Sequence, residues 1–306
     1  ALDVVSNHIV ADDSANLKTI QAYDNILLRK QKAQILVVNP ANYFATRNYS
    51  HLQQHAVILK TLGDVTEKTG STYSQYHLSQ SNEGSNLSAY DIIFVLCPNS
   101  DPVGTEVSLL KEYLKSGGTI FLQAEDSVRS NGFWTMNAYT SKLATALGTP
   151  FSILETPSIN DVPVTIAENN KWTTGMSSIL STWQVFYAGP IVGTNNDTTT
   201  IFSSRATDNK EYPWLVDMLA GKRDDGSKWG NIFLSTDANM WTTSHNYPFT
   251  TWGYQSGHTT QFAKNLVNNS VENRTAAVCG YNPNSTFDRW QATTTTTTTT
   301  TKDYRT

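Results

Sequence analysis

The chain has 306 residues, with 22 Lys and Arg against 26 Asp and Glu, for a net charge of −4. Only 16% of residues are charged, against roughly 25% in ordinary soluble domains; Asn, Ser, Thr and Tyr take their place. There is no basic stripe to track a phosphate backbone, which argues against nucleic acid as a partner, and no apolar run approaches the roughly 20 residues of a membrane span.

Taken in chain order, residues 1–32 form an N-terminal arm or helix. Ser14 can cap a helix through Leu17, Ile20, Ile26 and Leu27, and an extended arm is the alternative. From Ala33 the pattern sharpens. Gln34–Asn39 is a buried strand closed by Pro40. Ser50 is placed to cap a helix carrying Leu52, Val57, Ile58 and Leu62, ended by Gly63. Tyr73–Leu78 is a weaker strand. Asp91–Cys97 is a continuous apolar strand of the kind buried on both faces of a parallel sheet. Thr105 caps a second helix with Val107, Leu110 and Leu114 inward, Gly117-Gly118 stops it, and Thr119–Gln123 is the next strand. Met136–Leu147 is a third helix, stopped by Gly148. Strands alternating with helices of this length predict a doubly wound α/β fold.

After Pro150 the pieces become short and β-like: Val162–Ile166, Gln184–Ala188, Thr198–Ser203, Trp214–Leu219 and Asn231–Ser235, before a helical stretch at Gln261–Val267. The expected architecture is a flavodoxin-like, mainly parallel sheet with an added β-rich C-terminal half, one α/β domain over residues 33–280. A tail follows at 281–306, with nine consecutive threonines, Thr293, Thr294, Thr295, Thr296, Thr297, Thr298, Thr299, Thr300 and Thr301. Such a tract has no period with which to bury a face, and hydroxyl-rich runs of this kind read as O-glycosylated stalks or linkers of secreted proteins. That composition points to an extracellular or cell-surface location, with Ala1 as a processed terminus.

Three stretches carry a resemblance. Gln34–Asn39 with its following loop and helix, Asp91-Ile-Ile-Phe-Val-Leu-Cys97, and Leu114-Lys-Ser-Gly-Gly-Thr-Ile-Phe-Leu122 occur in an order that resembles the class I glutamine amidotransferase-like superfamily. The similarity is to its non-catalytic ThuA-like, GldG-like and intraflagellar-transport N-terminal branches. The pieces Thr174-Gly-Met-Ser-Ser-Ile179, Gly230-Asn-Ile-Phe-Leu-Ser-Thr-Asp-Ala-Asn239 and Gln261-Phe-Ala-Lys-Asn-Leu-Val267 are similar to the tail of those domains. In catalytic members a Cys sits at the turn after the strand matching Thr119–Gln123. Here that stretch reads Gln123-Ala-Glu-Asp-Ser127, so the resemblance implies no glutaminase chemistry and no cofactor. Glu125 and Asp126 would sit at the carboxyl edge of the sheet, where open α/β folds bind ligands; a helix cap or a solvent-facing position is the alternative for both. With His245 or His258 they are the residues a ThuA-like sugar enzyme would need.

The remaining candidates come from residue chemistry. Cys97 and Cys279, the only cysteines, can pair in an oxidising compartment, which would stabilise by about 3–5 kcal/mol; two buried thiols are the alternative. Six sequons stand at Asn48, Asn86, Asn196, Asn268, Asn273 and Asn284, in a chain so rich in Asn, Ser and Thr that chance supplies several. Trp241, Tyr247, Trp252 and Tyr254 form the densest aromatic cluster, suited to sugar stacking, to a protein interface or to the core. His51 and His55 lie one helical turn apart without an acidic partner, so a zinc site is not expected. Asp224-Asp-Gly-Ser227 lacks the later ligands of a calcium loop and reads as a turn. These readings converge on a secreted, non-enzymatic glycoprotein, a structural subunit of an extracellular filament, sheath or appendage, whose partners are copies of itself or other extracellular proteins, with covalent glycans. The alternative is a carbohydrate-binding or accessory module of a secreted multidomain enzyme.

Overall fold

The computed structural model describes residues 32–39, 55–69, 84–98, 100–125, 133–160, 162–176, 179–185, 187–241 and 257–278. Eleven strands are described: β1 (Ala33–Asn39), β2 (Gly63–Thr69), β3 (Ile92–Leu96), β4 (Thr119–Gln123), β5 (Ser152–Ile153), β6 (Val162–Ile166), β7 (Ile179–Val185), β8 (Ile191–Val192), β9 (Thr198–Arg205), β10 (Glu211–Lys222) and β11 (Lys228–Ser235). The described helices are α1 (His55–Leu62), α2 (Gly104–Lys115), α3 (Phe133–Ala146) and α4 (His258–Val278). Nine strands make one sheet in the order β2-β1-β3-β4-β11-β10-β9-β6-β7. The first five run parallel, in the flavodoxin-like order, and the last four continue antiparallel. The fold is therefore the expected α/β sheet with an appended β-rich half.

The parallel strands align an Ile-Phe pair three times. Phe94 lies beside Phe121 and Phe121 beside Phe233 in register. Phe94 meets Phe121 at 5.1 Å between centroids in a tilted pair, and Phe121 stacks on Phe233 at 5.9 Å. The preceding isoleucines, Ile93, Ile120 and Ile232, point to the opposite face because side chains alternate along a strand. Each face has its own core. The Phe face packs against Ile58 and Leu59 of α1 and Phe262, Ala263 and Leu266 of α4. The Ile face packs against Val107, Leu110 and Leu114 of α2 and Leu143 and Leu147 of α3. Burial on both faces explains why these strands read as unbroken apolar runs.

Helix α2 keeps the predicted inward residues, but it begins two residues early and Val103, not Thr105, occupies the N-cap, without a side-chain bond. It ends as expected. Gly117 takes φ +84°, and the amides of Gly117 and Gly118 return to the carbonyls of Leu114 and Tyr113 at 3.0 Å. Helix α1 stops at Leu62, and Gly63 opens β2 rather than a loop. Val57 of its predicted inward stripe is 56% exposed, while Ile58 and Leu59 are buried. Helix α4 runs 21 residues, well beyond Val267, because its second half buries polar groups: Ser270, Asn273 and Arg274. Arg274 donates to the carbonyls of Ser116 and Ser88 and ties α4 to the end of α2 and the 3-10 turn at Gly84–Ala89. The expected N-terminal arm apart from Lys32, the strand at Tyr73–Leu78 and the Thr-rich tail lie outside the described residues.

Candidate functional site

The carboxyl edge of the parallel strands is where the fold places ligands. β3 ends at Leu96, followed by Cys97, which has a left-handed φ of 44° and donates its amide to the Gln123 carbonyl at 2.8 Å. β4 ends at Gln123, followed by Ala124, whose amide reaches Ser235 of β11 at 2.7 Å. Glu125 donates its amide to Asn137 Oδ1 of α3 at 3.0 Å. Beyond β11, Asp237 begins the 3-10 turn Ala238–Trp241. Thr259 at the start of α4 donates to the Met240 carbonyl at 2.7 Å.

Gln123, Ser235 and Trp241 are spent on one another. Gln123 donates its amide to the Ala124 carbonyl at 2.6 Å and also lies within 3.4 Å of Ser235. Its Oε1 accepts the indole hydrogen of Trp241 at 3.0 Å. The Trp241 ring meets Phe94 and Phe121 edge-on and is 2% exposed. Gln123, Glu125, Ser235, Thr236, Asp237 and Cys97 are buried. Burial, and then the neighbouring Glu125 charge, push the Cys97 thiol well above its ordinary pKa, so it stays protonated and unreactive. The turn after β4 holds Ala124 and Glu125, both buried, and no Cys. Among the described residues no group of three His, Cys, Asp or Glu side chains stands close enough to hold a metal.

Several candidates move. Trp241 is a core residue, not an interface or sugar platform, because Gln123 satisfies its only polar atom inside the fold. Tyr247, Trp252 and Tyr254 lie outside the described residues, as do Asp126, His51 and His245. His258 opens α4 half-buried, and burial lowers its pKa. Asp225 closes the β10–β11 turn, accepting from the Ser227 amide and hydroxyl at 2.9 and 2.6 Å, so the Asp-Asp-Gly-Ser segment is the expected turn. Cys97 is a buried free thiol, and the other member of the candidate pair, Cys279, lies outside the described residues. Asn273 cannot carry a glycan in this fold. It is 2% exposed, and its Nδ2, the atom a glycan would occupy, donates to Asn231 at 2.9 Å. Asn196 and Asn268 are exposed. Asn48, Asn284 and Thr293–Thr301 lie outside the described residues.

A second polar cluster, not anticipated, lies on the Phe face toward the amino end of β11. The Asp217 carboxylate of β10 accepts from Trp172 Nε1 at 3.0 Å and from Asn231 Nδ2 at 2.9 and 3.0 Å. Asn273 of α4 completes the chain through Asn231. The Lys171 ammonium lies 4.4 Å above the Trp172 ring and 3.4 Å from Asn273 Oδ1. Burial raises Asp217 to about 6, against the lowering pull of Asn231, Lys171 and Trp172. The sequence signal was an acid interrupting the apolar run Trp214–Leu219. This cluster ties loop 167–176 and α4 to the sheet, and the same loop lines a shallow surface pocket with Asn169, Asn170 and Thr174.

No family model and no curated protein sequence matches the chain. Among solved structures, the mmIFT52 N-terminal domain matches with a TM-score of 0.51 at 11% identity, over 75% of this chain and 97% of that one. A cytoplasmic protein from Salmonella typhimurium gives a TM-score of 0.46 at 13% identity, covering 77% of this chain and 98% of its own. A ThuA-like protein from Parabacteroides merdae gives 0.47 at 11% identity, covering 83% and 92%. At these identities a likeness speaks for architecture alone: the chain has the fold of the mmIFT52 N-terminal domain.

Proposed function

We propose that this chain is a secreted, non-enzymatic glycoprotein that serves as a structural subunit of an extracellular assembly. The observation that carries the reading is the carboxyl edge. Gln123, Ser235 and Trp241 use their polar atoms on each other, and the nucleophile position of the resembled family holds Ala124 and buried Glu125. A fold that spends Gln123, Ser235 and Trp241 of its usual ligand edge on one another serves as a scaffold. The low charge and the Thr tract of the sequence supply the extracellular part. The carbohydrate-binding alternative loses support, since Trp241, one of its four platform rings, is packed in the core. Negative-stain electron microscopy of native material tests the proposal: regular filaments or sheets are expected, and dispersed single particles bearing no O-linked sugar would overturn it.

A further inference from the structure

Resting on the extracellular glycoprotein reading, the geometry points to Asn196 as an N-glycan acceptor in the described part of the chain. Four sequons fall within it, at Asn86, Asn196, Asn268 and Asn273. An N-glycan is bulky and hydrated, so its asparagine must stand at a surface loop in the folded protein. Asn273 fails that requirement because its amide nitrogen is buried against Asn231. Asn268 is exposed but sits within α4, and the hydroxyl of its sequon partner Ser270 is buried and donates to the Leu266 carbonyl at 2.7 Å. Asn86 lies in the 3-10 turn that Arg274 holds through the Ser88 carbonyl.

Asn196 meets the requirement. It lies in the exposed turn that leads into β9, where residues 193–197 are all exposed. The turn is closed without it. The Thr198 amide returns to the Asn195 carbonyl at 3.0 Å, the Asn195 amide donates to Thr198 Oγ1 at 3.1 Å, and Asn195 Oδ1 accepts from the Asp197 amide and the Thr198 hydroxyl at 3.0 Å. Asp197 is held by Lys228. Asn196 therefore occupies a central position of a self-supporting turn, and a sugar on its nitrogen displaces no bond that holds the fold. Thr198 pairs with Met218 near the end of β10, which places the turn at the amino edge of the parallel strands. A glycan there shields that edge and leaves the carboxyl edge and the outer strand β7 for contacts between subunits.

The full chain secreted from a cultured animal cell provides the test, with N-glycans released enzymatically in heavy-oxygen water so that each former acceptor is marked by mass. Asn196 is expected to be marked and Asn273 unmarked in the folded product, and Asn196→Gln is expected to lose one glycan with an unchanged melting temperature. An unmarked Asn196, or a marked Asn273 in cooperatively folding protein, overturns the assignment. If the variant secretes poorly, peptide mapping of the unaltered chain decides alone. Native material without any glycan sinks the glycoprotein reading separately, because the acceptor assignment is read from the animal-cell product.

Discussion

Asp217→Asn separates the electrostatics of the buried cluster from its hydrogen bonding. The folded carboxyl is raised from 3.8 to about 6, chiefly by burial. A group that holds its proton more tightly when folded adds stability that is complete below the unfolded value, near pH 4, and is lost as pH rises through about 6. The rise corresponds to about 3 kcal/mol. The substitution keeps the shape and removes the titration. It also replaces one acceptor oxygen by a donor facing Trp172 Nε1 or Asn231 Nδ2, a cost of about 1–3 kcal/mol that does not vary with pH. A comparison at one pH therefore mixes two effects of similar size, and the pH dependence isolates one. Urea unfolding followed by tryptophan fluorescence at pH 4, 5, 6 and 7 should show the unaltered chain losing about 2 kcal/mol more than the variant across that range, since at pH 4 the contribution is not yet complete. Glu106, which burial raises to about 7, adds a slope of the same sign to both proteins and cancels in the difference. Parallel stability curves would refute the reasoning and mean that the Asp217 carboxylate stays solvated.

Trp241→Ala should cost about 3–5 kcal/mol in chemical denaturation, as removal of a large core ring does; a change within about 0.5 kcal/mol would return this ring to the surface. Gly117→Ala sets a β-carbon 2.4 Å from that of Ala277 at a φ of +84° and should lower stability by about 2 kcal/mol or more; a neutral or stabilised variant would refute the α2–α4 contact. Cys97 should resist a thiol reagent in the folded chain and label fully in denaturant, read peptide by peptide, because burial and Glu125 keep it protonated; rapid native labelling would mean an open carboxyl edge.

The parts of the fold legible in the sequence are those where apolar pattern and burial coincide. Ile92–Leu96 and Thr119–Gln123 are buried at every position, so an unbroken apolar run sufficed. The Val107, Leu110 and Leu114 stripe likewise faced the core. β2 was missed because it is an edge strand. Val65 is its one large apolar residue among Asp64, Glu67 and Lys68, and charges on an edge discourage further pairing while erasing the alternation that marks a strand. The second half of α4 was missed for the opposite reason. Its inward residues are polar, and Asn273 and Arg274 are buried only because Asn231, Ser116 and Ser88 meet them.

Burial of polar groups is thus where local pattern fails, and the cause is energetic. A buried amide or carboxylate is tolerated only with its partners present, and those partners lie far away in sequence. Trp241 and Gln123 are separated by 118 positions, and Trp172 and Asp217 by 45. Nothing near Trp241 distinguishes a ring that will stack on sugar from one whose nitrogen a strand residue awaits. The same long-range pairing decides what the carboxyl edge can do. Were the Gln123 side-chain oxygen to serve a ligand, it would have to release Trp241, leaving a buried indole N–H unsatisfied at a cost of about 1–3 kcal/mol. A ligand would have to offset that cost before gaining any affinity. The hydrogen bonds that hide Trp241 therefore weigh against ligand binding through Gln123.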